Sequence, residues 1–139
     1  MPPTVRDIMT LDPVTLEAKT SVTEAARKMK ERDIGDVIVL DGDQLCGMVT
    51  DRDIVVRALA EDRDPNATNL GEICSRELVT VSPGDDLTVA GRLMREKTVR
   101  RMPVVEGGKP VGIVSMGDLA VERDPDSALS QVSAASPNT

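Results

Sequence analysis

A chain of 139 residues, 40% hydrophobic and 29% charged, has the size of one globular unit, and this one contains no Phe, Tyr, Trp or His. Without imidazole it has no Ser-His-Asp triad and no His-ligated zinc or haem, and without aromatic rings it has no side-chain platform for stacking unpaired bases. Its 17 Lys and Arg against 24 Asp and Glu give a net charge of −7, which argues against a general nucleic-acid binder, because such affinity rests on basic residues neutralising phosphates.

A chain of this length buries roughly 68–70% of its unfolded surface on folding, so packing falls to Val, Ile, Leu, Met and Ala. No run approaches the roughly 18 consecutive apolar residues of a membrane span. The opening stretch MPPTVRDIMT lacks the basic-then-apolar layout of a secretory signal. The expectation is a cytoplasmic protein that contacts neither membrane nor nucleic acid.

In chain order, a short segment over 5–9 is followed by an extended run over 13–16. Ser21-Val-Thr-Glu24 is a capping box that opens a helix. The apolar positions of that helix, Val22, Ala25, Ala26 and Met29, follow the i, i+3, i+4, i+7 spacing of one buried face, with Arg27, Lys28, Lys30 and Glu31 turned mostly outward. Two β-rich runs over 37–40 and 45–49 flank the turn signal Asp41-Gly-Asp-Gln44 and predict a hairpin. A second helix starts at Thr50, a natural N-cap. Its stretch Ile54-Val-Val-Arg-Ala-Leu-Ala60 is apolar nearly all round, more than one packing face requires, which predicts a subunit interface and a homodimer. Residues 61–69 read as a charged, turn-rich linker.

Beyond the linker the pattern returns. Residues 8–54 align with 73–119 at a constant offset of 65 without a gap, and 13 of the 47 positions are identical. The second copy keeps the helical stripe at Leu87, Ala90, Gly91 and Met94, places its hairpin runs over 102–105 and 110–114, and starts its last helix at Ser115-Met-Gly-Asp118. The chain is therefore a tandem duplication of a β-α-β-β-α unit, and two copies suit a pseudo-twofold pair better than an array. The predicted fold class is mixed α/β (α+β), with repeat 1 over 4–60, the linker, repeat 2 over 70–122 and a weakly patterned tail over 123–139, expected to be peripheral or mobile.

Both copies end their last strand in one constellation, Gly47-Met-Val-Thr-Asp-Arg-Asp-Ile54 and Gly112-Ile-Val-Ser-Met-Gly-Asp-Leu119. A strand running into a helix N-terminus presents unpaired N–H groups and the positive end of the helix dipole, which favour an anion. An Asp one turn along lies on nearly the same face and can accept from both hydroxyls of a ribose. Ser/Thr-x-x-Asp is equally a short capping box that needs no ligand. Both readings stand on the residues alone, since two copies inherit a structural cap as readily as a site.

The remaining features divide similarly. Cys46 and Cys74 have neither metal-motif spacing nor the density of a disulfide scaffold and are read as reduced, packed as small apolar residues. They have no His partner, so no enzyme activity is expected. The basic run Arg95-Glu-Lys-Thr-Val-Arg-Arg101 either complements a helix dipole or supports a phosphate. The methionines read as core fillers.

The repeated unit, its Gly-x-Val-[Thr/Ser]-x-x-Asp-[Ile/Leu] ending and the strand Arg101-Met-Pro-Val-Val105 resemble a CBS domain. The resemblance covers residues 4–121, and a chain holding just two copies is similar to stand-alone bacterial CBS pairs (Bateman modules), the hypoxic response group in particular. It implies a regulatory module with two inter-repeat clefts for an adenosine-containing ligand such as AMP, ADP, ATP, NAD or S-adenosylmethionine. None of these is a required cofactor, and no metal is implied. Carried over by residue, one site would use Ser115 and Asp118 with Thr4, Ile34 and Asp36, and the other Thr50 and Asp53 with Asn69, Val99, Arg101 and Pro103.

There are departures from the family pattern. Asn69 stands where the first copy has Thr4, Ile38 replaces the Pro of the Arg-x-Pro-Val-Val strand, and Asp36 stands where the second copy has Arg101. An acidic group near a phosphate is unfavourable, so the Thr50, Asp53 and Arg101 grouping is expected to be the better anion site. The function implied is an energy or stress sensor acting on a protein target in trans. The alternative is a ligand-free dimeric interaction module. Any adenine would have to lie between aliphatic side chains such as Ile34 or Val99, leaving ribose and phosphate contacts to supply the selectivity.

Overall fold

The Ser21 hydroxyl accepts the Glu24 N–H at 3.1 Å, and helix α2 (Val22–Arg32) runs from that cap. It buries Val22, Ala25 and Met29, a narrower stripe than expected, because Ala26 is exposed. Its counterpart α5 (Leu87–Lys97) buries Leu87, Ala90 and Met94 and is capped by Asp86. Both helices end on a non-glycine residue in the left-handed region, Asp33 (φ 55°) and Thr98 (φ 55°). The amide of the next residue in each, Ile34 or Val99, reaches back to the Met29 or Met94 carbonyl at 3.0 and 3.1 Å, which already accepts the Asp33 or Thr98 N–H, and this closes the helix end.

The computed structural model describes residues 2–74 and 78–123. The remainder of the tail, with the expectation made for it, lies outside the described residues. Both hairpins form. Strands β3 (Asp36–Asp41) and β4 (Gln44–Thr50) pair antiparallel, as do β5 (Arg101–Glu106) and β6 (Lys109–Ser115). Gly42 (φ +64°) takes the left-handed corner that the first turn requires. Each hairpin carries a bulge at the same place: the register shifts between Val39 and Leu40, and again between Val104 and Val105, so Cys46 and Val111 are left without a partner across the ladder.

Shorter elements complete the fold. The segment before the first strand is a helix, α1 (Val5–Ile8), followed by β1 (Thr10–Leu11) and β2 (Thr15–Glu17). Helix α4 (Leu70–Ile73) follows the linker. After Thr50 the chain makes one α-turn, α3 (Asp51–Asp53), and then widens into a π-helical stretch over Ile54–Leu59, where a continuous α-helix was expected. Ile54 and Ala58 face inward, and Val55, Val56 and Leu59 are 55%, 42% and 52% exposed. The last helix, α6 (Met116–Arg123), is α-helical.

The chain forms two compact units whose boundaries cut across the repeats. Of the described residues, one holds those within Val14–Leu78, and the other joins those up to Pro13 to those from Val79 to Arg123. The first has the sheet order β2-β3-β4, with β2 parallel to β3. Its core gathers Val22, Ala25 and Met29 with Val37, Val39, Val49, Ile54 and Ala58, and with Leu70, Ile73 and Cys74 from α4. The second has the order β1-β6-β5, with β1 antiparallel to β6. Val5 of α1 is fully buried there among Leu87, Ala90, Met94, Met102, Val104 and Val114. The leading segment of each sequence repeat thus packs in the unit built on the other repeat's hairpin.

Candidate functional site

Strands β4 and β6 each run directly into a helix, and the junction residues make the same bonds. Thr50 Oγ1 accepts the Asp53 N–H at 3.1 Å, while Asp53 Oδ2 accepts the Thr50 N–H at 2.9 Å. Ser115 Oγ accepts the Asp118 N–H at 3.1 Å, while Asp118 Oδ2 accepts the Ser115 N–H at 2.8 Å. Each is a complete capping box. The cap uses Oδ2 and leaves Oδ1 for other work, and among the described residues Asp53 Oδ1 has the long 3.7 Å approach of Arg57 Nε. All four residues are half-buried.

The same reach occurs elsewhere, which the sequence reading missed. Thr4 N–H donates to Asp7 Oδ2 at 2.8 Å at the head of α1, and Asn69 N–H donates to Glu72 Oε2 at 2.7 Å at the head of α4. Asp7 and Glu72 are exposed, so these two caps differ from the recessed pair at Thr50 and Ser115. The signal was present as Thr4-Val-Arg-Asp7 and Asn69-Leu-Gly-Glu72, the pattern already noted further along the chain.

The hairpin register brings other expected residues beside the caps. Asp36 is the ladder partner of Thr50, and Arg101 of Ser115. Asp51 N–H donates to the Gly35 carbonyl and Met116 N–H to the Arg100 carbonyl, at 2.9 and 2.8 Å, which ties each helix start to the entry of the neighbouring strand. In the unit of Val14–Leu78 lie Thr50, Asp53, Asn69, Ile34 and Asp36; in the other lie Ser115, Asp118, Thr4, Val99, Arg101 and Pro103. Within their own units, therefore, Thr50 has an acidic strand neighbour and Ser115 a basic one. Ile34 and Val99 are half-buried, Pro103 is buried and Asn69 and Arg101 are exposed.

A groove of about 520 Å³ opens between α5 and α6, lined by Arg92, Arg95, Met94, Val99, Met116 and Leu119 among others. It takes in Val99 but neither Ser115 nor Asp118. Among the described residues, no group of three or more His, Cys, Asp or Glu side chains is arranged to hold a metal ion, every buried side-chain polar atom has a partner, and no helix is long and apolar enough to cross a membrane.

Comparison with known proteins places this architecture. The family model for the CBS domain matches residues 5–59 and again 70–123. The CBS domain-containing protein YhcV of Bacillus subtilis is 40% identical over 119 residues, 86% of this chain and 84% of that protein. Hypoxic response protein 1 of Mycobacterium tuberculosis is 38% identical, over 84% of this chain and 82% of its own. Among solved structures, a putative signal-transduction protein with CBS domains from Burkholderia ambifaria superposes with a TM-score of 0.81 at 32% identity, covering 89% of this chain and 96% of that one. The CBS domain pair of protein MJ0100, solved in complex with 5′-methylthioadenosine and S-adenosyl-L-methionine, superposes with a TM-score of 0.81 at 25% identity, over 91% of this chain and all of its own.

Proposed function

We propose, since this chain belongs to the CBS-domain family, that it is a regulatory, non-catalytic module that binds an adenosine-containing ligand and passes the binding signal to a protein target in trans. The observation that carries this reading is the pair of recessed strand-to-helix caps, Thr50 with Asp53 and Ser115 with Asp118, each leaving a carboxylate oxygen beyond the needs of the cap. Vicinal ribose hydroxyls are two donors, and a carboxylate accepts both. The adenosine compounds held by the MJ0100 pair support the ligand class, and AMP, ADP, ATP, NAD and S-adenosylmethionine form the panel to test.

Titration calorimetry with that panel separates a cap from a site. Asp53→Ala, Asp118→Ala and the exposed-cap control Glu72→Ala are each expected to cost about 1 kcal/mol of stability. Only the first two should weaken ligand binding, by roughly 10- to 100-fold for the loss of hydrogen bonds to a charged acceptor. Binding unchanged in both would reject the assignment. The melting temperature of the wild type must rise with any ligand that binds only the native state. Because the protein has no Trp or Tyr, near-ultraviolet absorbance of the purified sample reports co-purified adenine almost directly.

The apolar exposure of Val55, Val56 and Leu59 on the π-helical stretch supports a second element of the reading, assembly as a homodimer through that face. Leu59→Asp is expected to convert dimer to monomer in light scattering while leaving the melting temperature of the monomer within a few degrees. A wild type that is monomeric at tens of micromolar would remove this element.

A further inference from the structure

Cys46 and Cys74, 28 residues apart in sequence, bring their sulfurs to 3.5 Å. Both are thiols rather than halves of a disulfide. Cys46 is the bulged residue of β4: Gly47 pairs with Val39 and Leu45 with Leu40, so Cys46 has no partner on β3. A bulge re-aims the side chain it carries, and this one meets the sulfur at the C-cap of α4. Cys74 is 4% exposed, with its N–H bonded to the Leu70 carbonyl at 2.8 Å. Cys46 is half-buried, leaving one of the two thiols open to a small reagent.

The duplication supplies an internal comparison. At the offset of 65, Cys46 corresponds to Val111 and Cys74 to Met9. Val111 occupies the same bulge in β6, and both Val111 and Met9 pack against the core of their unit. Packing at these two positions is therefore met elsewhere in the molecule by an apolar pair, and a dithiol adds chemistry that packing does not require.

We infer that Cys46 and Cys74 are an oxidisable pair that closes to an intrachain disulfide in the native protein when a low-molecular-weight disulfide such as oxidised glutathione is the oxidant. The Cys46 thiolate attacks one sulfur of the reagent, forming a mixed disulfide and expelling one glutathione thiolate. The Cys74 thiolate then attacks the Cys46 sulfur, forming the protein disulfide and expelling the second. Two electrons pass to the reagent, and the two protons released by the cysteines end on the two glutathiones. The sulfurs must close from 3.5 Å to about 2.05 Å, a movement within reach of a bulged residue and a C-cap. The loop so closed contains Thr50, Asp53 and Asn69, so the bond tethers α4 to the strand that feeds the first recessed cap.

The test treats purified full-length protein with excess oxidised glutathione under native conditions, followed by acid quench and intact mass measurement. The expected product has lost two hydrogens, carries no glutathione, stays one chain on a non-reducing gel, yields a peptide joining residues 46 and 74, and melts roughly 5–10 °C higher by calorimetry. Cys74→Met should stop with one glutathione on Cys46, and the doubly substituted Cys46→Val/Cys74→Met, built from the residues of the other repeat, should keep its mass and melting temperature in the oxidant. An interchain disulfide, retained glutathione on the wild type, no reaction, or a lowered melting temperature after closure would each overturn the inference. None of these readouts depends on nucleotide binding.

Discussion

Leu70→Ala is expected to destabilise the protein by about 2–5 kcal/mol, the range for truncating a fully buried leucine whose cavity cannot collapse. Leu70 is 0% exposed and sits in the core of the unit formed by Val14–Leu78. A four-residue helix has no stability of its own, so α4 is held by this side chain, by Ile73 and by two backbone bonds, Leu70 N–H to the Thr20 carbonyl and Gly71 N–H to the Ala18 carbonyl, at 2.9 and 3.0 Å. Removing the anchor loosens both. Leu78→Ala, at a side chain 48% exposed and outside the proposed dimer face, is the matched control and should fall within about 0.5 kcal/mol of wild type. Denaturation followed by far-ultraviolet circular dichroism measures both. A loss below about 1 kcal/mol for Leu70→Ala would mean that α4 is not docked in that core in solution.

Gly112→Ala is expected to cost about 1–3 kcal/mol by overpacking. A Cβ there would stand 2.8 Å from the Thr10 carbonyl oxygen and 2.9 Å from Met9 Sδ. The sulfur is on a flexible side chain and can yield, but the carbonyl is backbone of β1, which pairs with β6 at Thr10↔Ile113 and Leu11↔Gly112. Relief therefore requires β1 to lift from the sheet edge. Hydrogen exchange should show lost protection in β1 with the β5–β6 hairpin retained. Retained β1 protection together with full stability would contradict this account.

Much of the fold was legible in residues whose structure is decided locally. Ser21, the stripes on α2 and α5 and the two hairpins follow from caps, periodicity and turn chemistry, and they lie where those signals put them except at Ala26, which is exposed. The elements that were not legible are short. Helices α1 and α4 and strand β1 are two to four residues long, too brief for a periodic signal; the helices exist because Val5 and Leu70 fit cores built by distant parts of the chain, and β1 because it pairs with β6. The π-helical stretch over Ile54–Leu59 was likewise not legible, because its apolar run reads as helix and nothing in it marks a wider turn.

The candidate site shows a different limit. The Thr50–Asp53 and Ser115–Asp118 pairs could be picked out because they recur, and their cap geometry is as the spacing implies. What the spacing could not convey is that Thr4–Asp7 and Asn69–Glu72 use the same reach at exposed positions, so the pattern alone does not separate a proposed site from a helix start, and burial is the feature that distinguishes the two pairs. The meeting of Cys46 with Cys74 was out of reach for another reason. It depends on a one-residue bulge and on the docking of α4, neither of which spacing reveals.

The exchange of leading segments bears on how such a chain can be divided and how it arose. A cut in the linker would not release two self-sufficient halves, because the front half would keep the segment that fills the rear unit's core and lose the α4 that closes its own. Its fragments would be complementary pieces, each completing the other only on reassociation. By the same logic, a half-length ancestor holding a single repeat could have closed its core only by trading that segment with a second copy. In the duplicated chain that exchange is intramolecular and independent of concentration.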